Sequence, residues 1–187
     1  MRMEWVLAAV VLALVAYAVI IFNRLVRLQN MVREGWSGID VQLRRRTDLI
    51  PNLVDTVRGY AAHERALFEE IARMRASSMA AANVPDQAAA ERALQSSLAR
   101  LVALAEAYPN LKADQSFLKL QQQLGDIEDQ LQMARRYYNG SVRNLNIAIQ
   151  SFPNSLVSRP LGFREAPFFE LEDRADAAVP QVAITRG

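Results

Sequence analysis

The chain has no cysteine, only one histidine, and seven glycines scattered along its 187 residues. Without cysteine it can form neither a disulfide nor a thiolate metal site. The absence of cysteine does not indicate in which cellular compartment the protein lies. His63 is followed by Glu64, and successive helix residues point in different directions, so the pair does not match a two-histidine zinc site. The scattered glycines form no phosphate-binding loop. We therefore expect no metal and no cofactor.

Charge of one sign is not in large excess either, since 22 basic and 20 acidic residues leave a formal net charge of +2. The strongly basic surface typical of nucleic-acid binders is therefore not expected. The neighbouring carboxylates Glu69 and Glu70, or Glu128 and Asp129, diverge on a helix and do not suggest general acid/base catalysis. We expect a protein that is not an enzyme and has no small-molecule substrate.

What the sequence does contain is one long uncharged apolar run, WVLAAVVLALVAYAVIIF, at residues 5–22. A helix of that length, at ~1.5 Å per residue, nearly crosses a ~30 Å hydrocarbon layer, so residues 1–23 are interpreted as an N-terminal transmembrane anchor. A cleaved signal peptide is the alternative, because Ala16-Tyr17-Ala18 has the small-x-small pattern of a cleavage site. The apolar run continues past that point to Phe22, as in an uncleaved anchor.

Arginines follow this run more densely than they precede it. Arg24, Arg27 and Arg33 lie after it, whereas Arg2 lies before it and is accompanied by Glu4. By the positive-inside rule, this bias places the body of a single-pass protein on the cytoplasmic side of the cell membrane. Arg24 and Arg27 are also candidate contacts for anionic lipid headgroups, each worth about 1 kcal/mol.

Beyond the anchor, apolar residues recur at the three- and four-residue steps of amphipathic helices. The clearest stripe keeps a heptad-like spacing over residues 117–152, as in a coiled coil. Short connections at residues 83–86 and 108–110 favour antiparallel neighbours. We predict an all-α fold, in which an antiparallel bundle of long helices over residues 24–152 follows one transmembrane helix that can run continuously into the first bundle helix.

Residues 44–54, RRRTDLIPNLV, are interpreted as a corner between two of these helices. The arginines would end one helix, where positive charge offsets the negative end of the helix dipole. Asp48 would cap the next helix, and Pro51 is tolerated in a first turn. Asp114 is predicted to cap the last long helix.

Residues 153–187 are rich in proline and acidic residues, and we interpret them as an extended tail. Phe163, Phe168 and Phe169 are expected to hold its first half against the bundle, or alternatively to form a partner-binding patch. The last ten residues are expected to be loose. A weak strand pattern occurs only at residues 179–185.

Polar and aromatic residues inside the apolar blocks form a candidate junction between helices. In the predicted bundle they surround one helix corner, where buried polar groups need hydrogen-bond partners. One interpretation is a network that fixes how the helices meet, with Gly35 and Gly38 allowing close backbone approach. The other is a recognition surface for another membrane protein. The candidate residues are Trp36, Asp40, Arg45, Asp48, Asn52, Tyr60 and Tyr108.

Several ordered blocks stand out along the body of the chain: Trp36-Ser37, residues 39–54, Arg58-Gly59-Tyr60-Ala61, His63-Glu64, Glu106-Ala107-Tyr108-Pro109, Leu111-Lys112-Ala113, Arg135-Arg136-Tyr137-Tyr138-Asn139 and Phe152-Pro153. With these blocks the chain resembles the LemA family, bacterial membrane-anchored helical-bundle proteins. The resemblance covers about residues 25–152 and implies an N-terminal transmembrane helix, an all-α body and no known catalytic residue. One relative is tied to building the magnetosome, a membrane organelle. Gly140 and Asp114 depart from the family pattern, and Gly140 weakens its helix locally by roughly 1 kcal/mol.

These observations lead to a functional hypothesis. The chain would be a non-enzymatic protein of the bacterial cell membrane that acts as a scaffold or adaptor through its helical bundle. Its partners would be the lipid bilayer and other membrane proteins or further copies of itself, and not nucleic acid. The alternative is a membrane-anchored enzyme or small-ligand-binding module with a cleft between helices, lined by Asp40, Arg45 and Tyr60.

Overall fold

The computed structural model describes residues 2–170. Within that range the regular structure is all helical, and no residue is in a β-strand. The strand pattern at residues 179–185 and the last ten residues, expected to be loose, lie outside the described range. The helices are α1 (Arg2–Arg58), α2 (Arg65–Ala80), α3 (Val84–Glu106), α4 (Pro109–Lys112), α5 (Gln115–Gln150) and α6 (Asn154–Ser158).

Helix α1 contains the apolar run that the sequence analysis interprets as an anchor. Of the helices within residues 2–170, it alone is long and apolar enough to cross a membrane. Only 6% of its most apolar window is buried, unlike the core helix of a soluble protein. Further along the same helix, Leu25, Ile39 and Leu53 are completely buried. The helix therefore carries both an uncovered apolar run and a stripe that forms the protein core.

The predicted corner at residues 44–54 is wrong, because α1 continues through it to Arg58 and has Pro51 inside it. Proline lacks the N–H that would bond the carbonyl of the residue four positions earlier, here Thr47. The guanidinium of Arg75 in α2 donates to that Thr47 carbonyl at 2.7 Å. The buried stripe also continues through Ile50 and Leu53. Packing and this long-range hydrogen bond therefore outweigh the local helix-breaking signal.

The predicted cap at Asp114 is confirmed. Its carboxylate accepts hydrogen bonds from the backbone N–H groups of Ser116 at 2.8 Å and Phe117 at 3.1 Å, which have no partner within the first turn of α5. The break before α3 is also present, and Pro85 lies in its first turn. These two helix starts were readable from the sequence because the signals that mark them are local.

The buried apolar residues form two separate clusters along the bundle. The proximal core lies nearest the apolar run of α1, and it is built mainly by α1, α5 and the segment after α5, with Ala88 from the start of α3; Leu25, Ile39 and Tyr138 belong to it. The distal core lies at the other end, where the last part of α1 meets α2, α3, α4 and the start of α5. Its residues include Leu53, Leu94, Leu101, Leu111 and Phe117.

The segment after α5 lies against the proximal core. In contrast to the expected extended tail, Asn154–Ser158 form the short helix α6, and residues 163–170 have no regular secondary structure. Phe169 is completely buried and Phe163 packs on the proximal core, so these two phenylalanines hold the segment to the bundle as expected. Phe168 is still 38% exposed.

Candidate functional site

A buried polar cluster lies in the middle of the bundle. Arg46 of α1 and Glu91 of α3 are both buried, and Arg46 Nη1 lies 3.4 Å from Glu91 Oε2. The same Arg46 atom is 3.7 Å from Glu128 of α5. The second carboxylate oxygen of Glu91 accepts hydrogen bonds from the Ser78 hydroxyl and, at 3.1 Å, from the Gln87 amide. We call these five residues the polar layer.

The polar layer separates the two cores. Along α1, Arg46 lies between Leu43 of the proximal core and Ile50 of the distal core. Along α3, Glu91 lies in the same way between Ala88 and Leu94. Buried charges must pair, so only one relative placement of these helices satisfies both groups. The layer therefore fixes the register of α1 against α3 and contributes less to net stability than its burial suggests.

The sequence analysis missed this layer because it selected Arg45 and not Arg46. A periodic signal was available: Arg46 continues the apolar stripe Ile39, Leu43, Ile50 and Leu53 at three- and four-residue steps. Arg45 lies outside that stripe and is exposed. An arginine that replaces an apolar residue at a core position is the recognisable sign of a buried ion pair.

Two predicted junction residues lie against the cores. Trp36 is partly buried, and its ring contacts those of Tyr138 and Phe169 edge-on, with centroids 5.6 and 5.8 Å away. Tyr108 is partly buried and packs against the distal core, far from Trp36 along the bundle. These two residues therefore belong to different cores.

The other predicted junction residues are largely exposed. Asp40 forms a solvent-exposed ion pair with Arg44 at 3.0 Å. Arg45, Asp48 and Asn52 are exposed on α1. The expectation of one buried hydrogen-bond network at these positions is therefore wrong, because their side chains are open to solvent on a helix that does not turn there. Their role as a recognition surface stays a prediction.

Tyr60 is the predicted junction residue that connects distant parts of the chain. Its hydroxyl donates to the Asp114 carboxylate at 2.9 Å, which links the end of α1 to the start of α5. This hydrogen bond lowers the pKa of Asp114, with the Phe117 backbone N–H contributing in the same direction. The same bond raises the pKa of Tyr60, because it favours the protonated phenol beside a carboxylate.

Two further ionisable groups have shifted pKa values for different reasons. Hydrogen bonds from Arg100 and then from Ser97 lower the pKa of Glu70, which ties α2 to α3. Burial raises the pKa of Tyr138, whose hydroxyl donates to the Pro167 carbonyl at 2.8 Å. All of these contacts join one helix or segment to another, so their role is to hold the fold together.

Helices α1 and α5 approach most closely at Gly35. A Cβ atom placed on Gly35 would lie 2.9 Å from the Cα of Tyr138, too close for any real side chain. Gly38 differs, because a Cβ there would lie 3.8 Å from the Ala134 side chain, an ordinary contact. Close backbone approach, as expected from the sequence, therefore occurs at Gly35 and does not require glycine at Gly38.

Two asparagines of α5 hold the chain segment that follows α6. Asn139 donates to the Phe169 carbonyl at 3.1 Å and accepts from the Phe169 N–H at 2.9 Å. Asn146 makes the same pair of bonds with Ala166, at 3.0 and 2.9 Å. Each side-chain amide thus replaces a backbone partner, and an irregular segment is kept in a defined register along α5.

An open cleft of about 500 Å³ lies beside the polar layer. Asp40 lines it, as predicted for the ligand-binding alternative, whereas Arg45 and Tyr60 do not. Within residues 2–170, no three histidine, cysteine, aspartate or glutamate side chains are grouped so that they could hold a metal ion. The cleft residues are Asp40, Leu43, Arg44, Thr47, Asp48, Ser78, Met79, Ala81 and Gln87.

The two predicted lipid contacts lie just beyond the apolar run. Arg24 and Arg27 are both exposed on α1. Phe22, the last residue of the run, contacts the Phe163 ring edge-on at a centroid distance of 5.7 Å. The two arginines therefore occupy the level of α1 at which the uncovered apolar surface gives way to the folded body.

Comparison with known proteins gives a consistent result. Magnetosome protein MamQ of Magnetospirillum gryphiswaldense is 24% identical over 210 residues, which cover 96% of this chain and 77% of that protein. Magnetosome protein MamQ 2 of Paramagnetospirillum magneticum is 23% identical, covering 90% of this chain and 72% of that protein. Protein LemA of Metamycoplasma hominis is 26% identical over 153 residues, or 81% of this chain and 69% of that protein.

The family comparison extends over most of the folded body. The sequence model of the LemA family matches residues 35–184, which include the close contact at Gly35, the polar layer and the asparagines that hold the segment after α6. The features that define this fold thus lie inside the matched region, and the chain belongs to the LemA family.

Proposed function

We propose that this protein is a non-enzymatic, single-pass membrane protein whose helical bundle acts as a scaffold or adaptor for other membrane proteins or for further copies of itself. The observation that carries this proposal is the construction of α1. The uncovered apolar run and the buried stripe lie on one helix, so the body is attached directly to its anchor without a flexible linker. Such a body is suited to presenting a surface at a fixed height and orientation.

The inter-helix contacts support an antiparallel bundle. From Gly35 to Arg46 to Tyr60, the partners of α1 move backward along the chain, from Tyr138 to Glu128 to Asp114. Helices α2 and α3 show the same antiparallel order. Glu70, early in α2, contacts Ser97 of α3, whereas Ser78, late in α2, contacts Glu91, which comes earlier in α3. Those contacts pair the buried charges of Arg46 and Glu91 with groups of neighbouring helices. The groups left for interaction are on the outside, as in a binding protein.

The side of the membrane on which the body lies is inferred from the distribution of arginine. The flank after the apolar run is richer in arginine than the flank before it, which favours a body on the cytoplasmic side of the bacterial cell membrane. Relatives that are named magnetosome proteins support a role connected with membranes. They name no reaction, in keeping with a non-enzymatic role.

The test is partner capture by the full chain in its native membrane. The double variant Arg45→Glu with Asp48→Arg alters the exposed face of α1, and the control Lys119→Glu with Gln123→Arg alters an exposed face of α5. We expect crosslinking to recover a stable partner or oligomer, which the first variant loses and the control keeps at an equal melting temperature. Absence of any crosslinked species with the unaltered chain would contradict the proposal.

The open cleft favours one alternative, a membrane-anchored ligand-binding module or enzyme. Asp40 and Asp48 line the cleft beside the Ser78 hydroxyl, so it would suit a small cationic or polyhydroxylated ligand. Binding of such compounds, measured by the melting temperature of the full chain, should be lost in Asp40→Asn with Asp48→Asn if the cleft is the site. No stabilisation by compounds of this class would favour the scaffold.

A further inference from the structure

Three large apolar side chains are left uncovered at the membrane end of the body. Phe152 is 80% exposed, Leu156 is 66% exposed and Leu161 is 56% exposed. They flank or belong to α6, whose other side is covered: Asn154 and Ser158 are buried, and Val157 packs on the proximal core. We call Phe152, Leu156 and Leu161 the apolar foot. Its side chains are exposed because they point away from the bundle and not because the helix is loose.

The structure places this foot at the level where the apolar run ends. Ile21 belongs to that run, yet it is only 5% exposed, because it is part of the same cluster as Ala148, Ile149 and Val157. Phe163, just after the foot, contacts the ring of Phe22. The body therefore begins to pack on α1 within the last turn of the run. A bilayer around residues 5–22 would have its headgroup region, roughly 5–8 Å thick, at this height.

Helix α6 is held at this height by contacts on both sides. The Ser158 hydroxyl donates to the Ile149 carbonyl at 3.1 Å, which fixes the short helix under the end of α5. The Phe163 N–H bonds the Ser158 carbonyl at 3.0 Å and turns the chain back toward α1. The foot is therefore a shaped surface, presented beside the anchor by a closed turn.

Arginine is the dominant charged residue around the foot. Residues 20–33 and 140–164, which meet at this end of the bundle, contain no aspartate or glutamate, and the acidic residues nearest to them in the chain are Glu34 and Glu165. Apolar side chains framed by arginine match the interface of a bilayer that contains anionic lipids, where apolar groups enter the headgroup boundary and cations contact phosphates. A docked protein would not require this excess of positive charge. The arginines of the two segments are Arg24, Arg27, Arg33, Arg143, Arg159 and Arg164.

We propose that the apolar foot is a second membrane contact, which inserts into the headgroup region of an anionic bilayer beside the anchor helix. The inference rests on the proposed anchor. Together, the anchor and the foot attach the body at two points, so the bundle can neither rotate freely about α1 nor tilt away from the surface. The exposed face of α1 would then be presented in one direction.

The lack of cysteine makes a direct test possible, because a single introduced cysteine accepts a unique label. Full-length Phe152→Cys and Leu156→Cys would carry an environment-sensitive fluorophore in nanodiscs that hold one copy each, with phosphatidylglycerol present. The control Met133→Cys lies on α5 at a position that is 50% exposed, away from the foot. Val15→Cys reports independently on the anchor.

We expect several-fold weaker quenching by aqueous iodide at positions 152 and 156 than at 133, together with quenching by a lipid-borne spin label. In pure phosphatidylcholine this protection should decrease. If the labels at 152 and 156 are as accessible to iodide as the label at 133 while the label at 15 is embedded in lipid, the proposed membrane contact of the foot is wrong and the proposed anchor is kept. An accessible position 15 would instead overturn the anchor.

Three other outcomes would also overturn the inference. Protection from iodide without lipid quenching would indicate that protein covers the foot, and protection only at high protein density in vesicles would indicate a second copy. Equal protection in neutral and anionic discs would remove the role assigned to the arginines. The melting temperature of each labelled chain, compared with the unaltered one, verifies that the fold is kept.

Discussion

The proximal and distal halves of this bundle are held together in different ways. The proximal half is narrow. The backbones of α1 and α5 come into contact at Gly35, and the irregular segment after α6 adds Phe169 to the buried core. The distal half is wider, because α2, α3 and α4 join α1 and α5 around residues such as Leu94 and Phe117. The first core therefore depends on one close helix pair and an irregular segment, whereas the second is shared among five helices.

This difference has a consequence for the boundary between the halves. The close contact at Gly35 sets the position of α1 against α5, but a shift of α3 by one turn along α1 would still place apolar residues opposite apolar residues. The Arg46–Glu91 pair opposes such a shift, because moving either charge leaves the other buried without a partner. The polar layer thus keeps the two halves in one register, and each half can be tested separately.

The largest effect is expected at this boundary. Glu91→Ala leaves the Arg46 guanidinium buried beside the partly exposed Glu128 alone, and should reduce the free energy of unfolding by about 3–5 kcal/mol. The measurement is denaturant unfolding of the full chain in nanodiscs. Arg44→Ala, which removes only the exposed pair with Asp40, should cost no more than about 1 kcal/mol.

The double variant Arg46→Leu with Glu91→Leu sharpens the same comparison. It removes both charges, so most of the loss should be recovered although the two halves are no longer held in register. Native-state hydrogen exchange should then show the proximal and distal halves opening separately. A double variant that is as unstable as Glu91→Ala would show that the pair contributes net stability and not only register.

A smaller effect is expected within the proximal half. Gly35→Ala and Gly38→Ala gain the same helix propensity, so the difference between their unfolding free energies reports the contact with α5 alone. Gly35→Ala should be less stable than Gly38→Ala by about 1–3 kcal/mol, because its Cβ meets the Tyr138 backbone and the Gly38 Cβ does not. Equal unfolding free energies for the two variants would show that α1 and α5 can move apart to accommodate the Cβ without a loss of stability.

The smallest effect concerns the link at the distal end. Folding lowers the pKa of Asp114 below that of an unfolded aspartate, about 3.9. The ionised carboxylate therefore stabilises the fold fully above the unfolded pKa, and this stabilisation is lost as the pH falls through the lowered folded-state pKa. Asp114→Asn, which can still cap α5, should therefore show a flatter fall of stability below about pH 4.

Tyr60→Phe provides the second variant for this titration. It removes the largest cause of the Asp114 shift while leaving the cap in place, so it should flatten the acid profile in the same direction. Thermal unfolding followed by circular dichroism across the acid range checks both variants. An acid profile as steep as that of the unaltered chain in both would show that Asp114 is not responsible.

Sequence-level reasoning was most successful where signals are local. The candidate membrane helix, the all-helical class and the Asp114 cap each depend on a few consecutive residues or on simple periodicity. The predicted corner at residues 44–54 was wrong because its local signals were overruled from a distance. Arg75 supplies the hydrogen bond that Pro51 cannot, and no reading of residues 44–54 alone contains that information.

The apolar run, the class of the fold and the periodic stripes can be read from the amino-acid sequence, because they depend on hydrophobicity and on the geometry of a single helix. Three other features emerge only from the packing of the whole chain: Arg46 and not Arg45 is buried with Glu91, Asn139 and Asn146 hold the segment after α6, and Phe163, just after the apolar foot, contacts Phe22. Each of these is a relation between residues far apart in the chain. Such relations are set by which surfaces can be buried together.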